Sequence, residues 1–444
     1  MLRVRPQGSV GDARAAPHPT GLRTATFSRE GRRDPLGISA ILDHRLDANL
    51  IQPVAVAFSG GGDSLGALLA TKAWADACGR PVIALHVDHQ LQAASPDWRD
   101  FAAAAAQRLG VGFRALVWVG DKPAHGLAAA ARRARHGLIA EAARAAGATT
   151  VVFGHTADDV AESALMQAEG SSLGRPREWR PSPVWPEGRG VFILRPLLTV
   201  RRTPIREALR ASGWDWIDDP ANEDPRQPRV RARRQLAGTE GGPATLDDQA
   251  AVAFPARFDD WATIRLDRVR LRQAPEAAGR RVVAAAMLCV GGGERPPRAE
   301  RVAALFDRLA GPEDFTATLA GARLAAGEEI LIARNSGEMA RGGLAPVAIE
   351  PGRATVWDGR FELRSPRSGL GVIALKGAQA RLDAETRRRL RAAPAAARPA
   401  LPLVVDAGGR LACPLFANDG IVVHSLVGAR FSAACGAVSK EPRA

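Results

Sequence analysis

Cysteine is scarce in this sequence: Cys78, Cys289, Cys413 and Cys435 are the four in 444 residues, and none sits in C-x-x-C spacing. That argues against a disulfide framework and a cysteine-built zinc site, and it fits a reducing cytoplasm. No apolar run approaches the ~20 residues of a membrane helix, so no membrane partner is expected. A Walker A loop is missing as well. The glycine loop Gly60-Gly-Gly62 is followed by Asp63 and Ser64, with no lysine after the last glycine. There is no internal repeat. Acidic residues are in deficit, 47 against 61 Lys+Arg, for a net charge of +14. Such a balance attracts a polyanion such as RNA; an Arg- and Ala-rich proteome bias gives the same number.

What is present is a regular alternation. Short apolar runs at 54–58, 82–87, 113–119, 149–153 and 191–195 alternate with helical stretches of ten to twenty residues, such as 98–109, 128–146 and 203–212. This predicts an α/β fold, a doubly wound parallel sheet whose ligands sit at the carboxyl ends of the strands. At 444 residues two or three domains are expected. Residues 1–48 read as a disordered leader, Arg-rich over the first thirty-five and without an amphipathic pattern. The α/β domain takes 49–236, and 238–243 reads as a linker. A mainly helical middle domain follows over 244–344, with Val282, Val283, Ala286, Met287 and Val290 on its core face. A smaller mixed α+β C-terminal region takes 345–444, with β-like runs that include 356–363.

The distinctive polar residues fall at the predicted strand ends. Val54 to Phe58 is a buried strand, and Ser59-Gly-Gly-Gly-Asp-Ser64 turns the chain into a helix. Glycines let backbone N–H groups approach an anion, and the helix dipole favours it, so this is a phosphate site. Leu85-His-Val-Asp-His-Gln-Leu91 ends the second strand. Its two histidines, His86 and His89, lack a third metal ligand nearby and serve better as lining of a nucleotide pocket. Gly154-His-Thr-Ala-Asp-Asp-Val-Ala-Glu-Ser163 opens a helix with two adjacent carboxylates, a set suited to Mg²⁺ beside a triphosphate. The competing reading is helix N-capping by Thr156 or Asp158. Arg132 and Arg135 are three apart and share one helical face.

The hexapeptide 59–64 resembles the S-G-G-x-D-S loop of the PP-loop ATP pyrophosphatases, which cleave ATP between its α and β phosphates. The remaining clusters are similar to motifs of the tRNA(Ile)-lysidine synthetases: H-V-D-H at 86–89, A-R-x-A-R-Y at 131–136, and G-H-x-x-D-D-Q-x-E-T at 154–163. To these add R-P-L-L at 195–198, D-P-S-N at 219–222 and R-N-R-I-R at 229–233. Order and spacing fit that family over roughly residues 50–236. The resemblance implies a ligase that uses ATP to adenylate the wobble cytidine of a minor tRNA(Ile) with a CAU anticodon. Free L-lysine then displaces AMP to form lysidine.

By resemblance, Asp63, Asp158, Asp159 and Arg132 are catalytic. ATP is held by Phe58, Ser59, Gly60, Gly61, Gly62, Asp63, Ser64, His86 and His89, and Mg²⁺ by Asp158 and Asp159. The tRNA is held by Arg135, Arg195, Asn222, Arg229, Arg231 and Arg233, and by the middle domain. A homodimer is left open. Gln92, Gly126, His136, Val160, Glu169 and Ala221 depart from the family pattern. The rival readings are another PP-loop ATP-dependent RNA-modifying enzyme and a degenerate, non-catalytic paralogue.

Overall fold

The computed structural model describes residues 36–170, 174–219, 228–236, 254–337, 344–416 and 420–443. The chain divides into two compact units, one of residues 1–179, 191–247 and 440–444, the other of 180–190 and 248–439.

The first unit opens with helix α1 (Ser39–Arg45). Ile38, Leu42 and Leu46 are buried in its core, which corrects the expectation that the leader runs to residue 48. Strand β1 (Val54–Ala57), helix α2 (Gly62–Cys78), strand β2 (Val82–Asp88), helix α3 (Ser95–Leu109) and strand β3 (Gly112–Val117) follow. Next come helix α4 (Leu127–Ala145), strand β4 (Thr150–Phe153) and helix α5 (Ala157–Ala168). Strand β5 (Trp179–Pro181) lies where the chain leaves this unit. Strand β6 (Phe192–Leu194), helix α6 (Arg202–Ala211) and helix α7 (Pro228–Gln235) complete the order.

The strands form one sheet in the order β3-β2-β1-β4-β6-β5, with β1 parallel to both β2 and β4. Strand order reverses between β1 and β4, so the crevice at their carboxyl ends is the switch point where such sheets bind ligands. The doubly wound parallel sheet is as expected. Its central strand β1 is apolar throughout because helices cover both faces: Val54, Ala55 and Val56 have no exposure. Helix α2 ends as its composition dictates, on Gly79 in the left-handed region with Pro81 just beyond.

The second unit is α+β rather than mainly helical over 244–344. Strands β7 (Ala256–Phe258) and β8 (Ile264–Asp267) precede helices α8 (Arg268–Gln273), α9 (Glu276–Gly291) and α10 (Ala299–Ala310). They join β9 (Phe315–Leu319), β10 (Ala322–Ala326) and β11 (Glu329–Arg334) in an antiparallel sheet ordered β7-β8-β11-β10-β9. Val282, Val283, Ala286, Met287 and Val290 of α9 are all fully buried, as their spacing predicts.

Two small antiparallel sheets follow in the same unit. Strands β12 (Val347–Ile349), β13 (Thr355–Trp357), β14 (Phe361–Arg364), β15 (Leu370–Ala374), β16 (Pro402–Val405), β17 (Leu411–Ala412) and β18 (Val422–Ser425) pair as β12-β15-β16-β17 and β13-β14-β18. The run 356–363 is a hairpin and not one strand. Asp358 and Gly359 both take positive φ, 50° and 63°, and the Arg360 amide closes the turn on the Trp357 carbonyl at 3.1 Å.

Candidate active site

The loop after β1 is shaped by its own serines. Ser64 Oγ donates to the Gly61 carbonyl at 2.8 Å and accepts from the Ser59 amide at 3.2 Å. Gly60 has φ +89°, and a Cβ there would lie 2.5 Å from Ile217 Cδ1, so only glycine fits. The N-cap of α2 is Gly61, which supplies no side-chain cap. The first-turn amides of α2 therefore stay available to an anion, at the positive end of the helix dipole. The Phe58 side chain is core, 1% exposed, so only its backbone belongs to the loop.

Asp63 stands in that first turn. Its Oδ2 accepts from Arg202 Nε at 3.0 Å, while its Oδ1 is buried without a hydrogen-bond partner. Burial, which outweighs the nearby Arg202, raises its pKa. An orphaned, buried carboxylate oxygen beside a phosphate loop fits Mg²⁺, which takes one or two carboxylates and completes its shell with water and phosphate.

Asp158 and Asp159 are more occupied than expected of metal ligands. Asp158 accepts from the Arg202 amide at 2.9 Å and Arg201 Nη1 at 3.2 Å. Asp159 Oδ2 accepts from the Thr156 amide at 2.7 Å and its hydroxyl at 2.9 Å, so Asp159 caps α5. Its Oδ1 accepts from Arg202 Nη2 at 2.9 Å and Arg229 Nη2 at 2.6 Å. Among the described residues of this cluster the carboxylate oxygen without a hydrogen-bond partner is Asp63 Oδ1, so Asp63 joins the expected 158–159 pair as a candidate Mg²⁺ ligand.

Arg202 and Glu162 were absent from the predicted site, yet they organise it. Arg202 bonds Asp63, Asp159 and Glu162 at once, the last through Nη1 at 2.6 Å, and these carboxylates raise its pKa against the cost of burial. Glu162 is 1% exposed and accepts from Arg202, Arg229 at 2.8 Å and Arg233 at 2.9 Å. A signal for Arg202 was legible: α6 begins with arginine and has no acid in its first turn, against the helix dipole. Glu162 lies three residues from Asp159, on the same helical face.

The predicted tRNA ligands separate. Arg229 and Arg233, four apart on α7, face Glu162 and hold α7 on α5, whereas Arg231 is exposed. Arg195 is 2% exposed and donates from Nε to His155 Nδ1 at 3.1 Å; burial rules it out as an RNA contact. Asn222 and Ala221 lie outside the described residues.

His86, also assigned to ATP, is buried and bonds the Phe58 carbonyl at 3.0 Å through Nδ1, pinning β2 to β1. Burial lowers its pKa. His89 remains at the strand ends, edge-on to Trp118 at 5.9 Å, and burial together with Arg135 lowers its pKa to about 4.

Arg132 and Arg135 come from α4. Burial, Arg132 and Arg229 bring the Arg135 pKa down to about 10, and its Nε is buried and unpartnered. Arg132, although exposed, also has a lowered pKa, from desolvation and from Arg229. Guanidiniums whose charged neighbours are other guanidiniums form a cluster that a polyphosphate would neutralise.

A parallel sheet with a glycine loop at its switch point, an aspartate in the loop's helix and convergent arginines defines the PP-loop class of ATP-using enzymes. The model of the PP-loop domain family matches residues 40–240, starting within α1. The chain is 48% identical over 411 residues to a tRNA(Ile)-lysidine synthase of Caulobacter vibrioides, covering 91% of this chain and 98% of that protein. A tRNA(Ile)-lysidine synthase of Brucella anthropi is 33% identical, with 83% and 86% covered. One of Hyphomonas neptunium is 35% identical, with 65% and 82% covered. The chain belongs to the tRNA(Ile)-lysidine synthase family. Among the described residues no helix is long and apolar enough to cross a membrane.

Proposed function

We propose that this site activates the wobble cytidine of a tRNA(Ile) with a CAU anticodon and joins free L-lysine to it, in the cytoplasm. The carbonyl oxygen of cytosine attacks the α-phosphorus of ATP, and pyrophosphate departs. The lysine amine then attacks the activated carbon, the bond to the oxygen breaks, and AMP leaves. Activation must precede attack because a cytosine oxygen is a poor leaving group and AMP is a good one.

The observation that carries this reading is the convergence at one switch point of uncapped α2 amides, the unpartnered Asp63 Oδ1 and the Arg132–Arg135 pair. The α2 amides and the arginines hold the phosphates. Asp63, with Asp158 alongside, would hold Mg²⁺, which supplies Lewis-acid stabilisation of charge developing on the phosphates. Exposed Arg231 contributes to holding the tRNA, whose single-stranded anticodon base can be splayed into the site. The loop and its aspartate are intact, which favours catalysis over a non-catalytic paralogue.

Incubating the protein with ATP, Mg²⁺, labelled lysine and unmodified minor tRNA(Ile) transfers label to RNA. Asp63→Ala loses pyrophosphate release and keeps tRNA affinity. No label in RNA, with a known synthase active alongside, would sink the reading; pyrophosphate release without lysine transfer would redirect it to another RNA substrate.

A further inference from the structure

We infer that Arg195 is a positioning residue: by donating from Nε to His155 Nδ1 it fixes His155 as the neutral Nε2–H tautomer, an uncharged donor set among the phosphate-binding arginines. This rests on reading the site as an ATP site.

A guanidinium carries donors only, so the imidazole nitrogen facing it must be a bare lone pair and the proton must sit on Nε2. Arg195 cannot turn away. Its Nη1 donates to the Arg177 carbonyl at 2.9 Å, its backbone amide to the Glu178 carbonyl at 2.8 Å, and its guanidinium lies 5.8 Å from the Phe153 ring centre. The imidazole plane is fixed as well, since His155 stacks on Phe153 at 5.8 Å and 24°. Phe153 in turn stacks on His136 at 5.2 Å and 29°, an arrangement that uses the histidine standing where the family pattern has tyrosine.

The charged groups facing His155 are Arg195 from the end of β6, Arg135 and Arg132 from α4, and Arg229 from α7. Burial first, and then these four charges, hold its pKa well below the ordinary value. His155 therefore stays neutral at physiological pH, and its Nε2–H serves as a hydrogen-bond donor to a phosphate oxygen without exchanging a proton. His155 is half-buried, three residues before Asp158 at the carboxyl end of β4.

Histidine-selective ¹⁵N NMR of the full chain tests this, with His155→Gln giving the assignment. Wild type shows His155 as the Nε2–H tautomer between about pH 8 and about pH 5. In Arg195→Met that preference is lost, kcat for pyrophosphate release falls about 10- to 100-fold, and tRNA affinity is kept. Arg195→Gln, which keeps a donor without the charge, holds the tautomer, restores most of the rate, and lets the His155 pKa rise toward 6.5. In the His155→Gln background Arg195→Met adds no further loss, because one residue acts through the other.

An unchanged His155 tautomer in Arg195→Met overturns the inference, as does an equal rate loss in both backgrounds. If the methionine variant does not fold, the wild-type spectrum carries the test, and a His155 Nδ1–H tautomer or an imidazolium at neutral pH there overturns it. Failure of the lysidine reading appears separately, as no lysine transfer by wild type, and leaves the NMR result standing.

Discussion

The carbonyl oxygen of Asp63 lies 2.5 Å from where a Cβ on Gly154 would stand, and the Ser64 Cα lies 2.8 Å from it. The loop after β4 thus packs directly against the first turn of α2. Both neighbours are backbone, which cannot swing aside. Gly154→Ala must push the α2 N-terminus off the sheet, and a displacement near 1 Å at such a site costs about 100-fold in rate. The expected outcome is that loss in ATP-dependent pyrophosphate release with tRNA binding retained. Full activity in the alanine variant would show that the two loops need not touch.

Glu162 ties α5 to α6 and α7 through three arginines. Burial opposes its charge, but the bonds from Arg202 and Arg229 prevail, and its folded-state pKa is lowered from 4.5. For an acid so shifted, the stabilisation is complete above pH 4.5 and disappears as pH falls through the lower folded-state value. Glu162→Gln should cost about 2 kcal/mol near neutral pH, less than a fully buried pair because solvent reaches Arg229 and Arg233. Urea unfolding at neutral pH and in acid checks both size and sign: the gap between variant and wild type closes as the pH is lowered.

The architecture of the first unit was legible because its signals are local. Val54–Ala57 is a continuous apolar run, Gly79 with Pro81 stops a helix, and Ser59–Ser64 carries its turn chemistry in consecutive residues. The partnerships inside the site were not legible, since they join residues far apart in sequence. Arg202 meets Asp63 across 139 positions, and nothing near residue 202 announces it except arginines where a helix N-terminus disfavours them. Arg195 carried the same ambiguity in reverse: a motif arginine suggests a phosphate, and only burial reveals that it serves a histidine. Helix α1 was hidden by the Arg-rich composition preceding it, although Ile38, Leu42 and Leu46 have the spacing of a buried face.

Two residues apart on α7, Arg231 and Arg233 should behave differently. Arg231 is exposed, whereas Arg233 donates to Glu162 at 2.9 Å. Arg231→Ala is expected to weaken tRNA binding uniformly and to reduce the salt slope of log K by about 1, with a smaller drop in melting temperature than Arg233→Ala. Arg233→Ala is expected to lower the melting temperature, with the salt slope within error of wild type. Filter binding across a salt series and thermal melts separate the two, and a shared phenotype would refute the division.

Residues 440–443 belong to the first unit, and Glu441 is the reason. Its carboxylate receives both Arg80 Nη atoms, at 2.7 and 3.1 Å, with the two side chains 0% and 1% exposed. The Asp47 amide adds a bond at 3.2 Å, and the Glu441 amide donates to the Arg45 carbonyl at 2.8 Å. Arg80 precedes β2, and Thr149, which donates to Glu441 at 3.4 Å, precedes β4. The pair therefore braces the amino ends of the strands, opposite the ATP loop. Removing one partner strands a buried charge, so Glu441→Ala should cost about 3–5 kcal/mol in chemical denaturation. Replacing both, as Arg80→Met with Glu441→Leu, should cost less than the single change, because no charge is left unpaired. Under conditions where the variants stay folded, the KM for ATP should match wild type; a raised KM would mean that the tail acts on the site and not only on the fold.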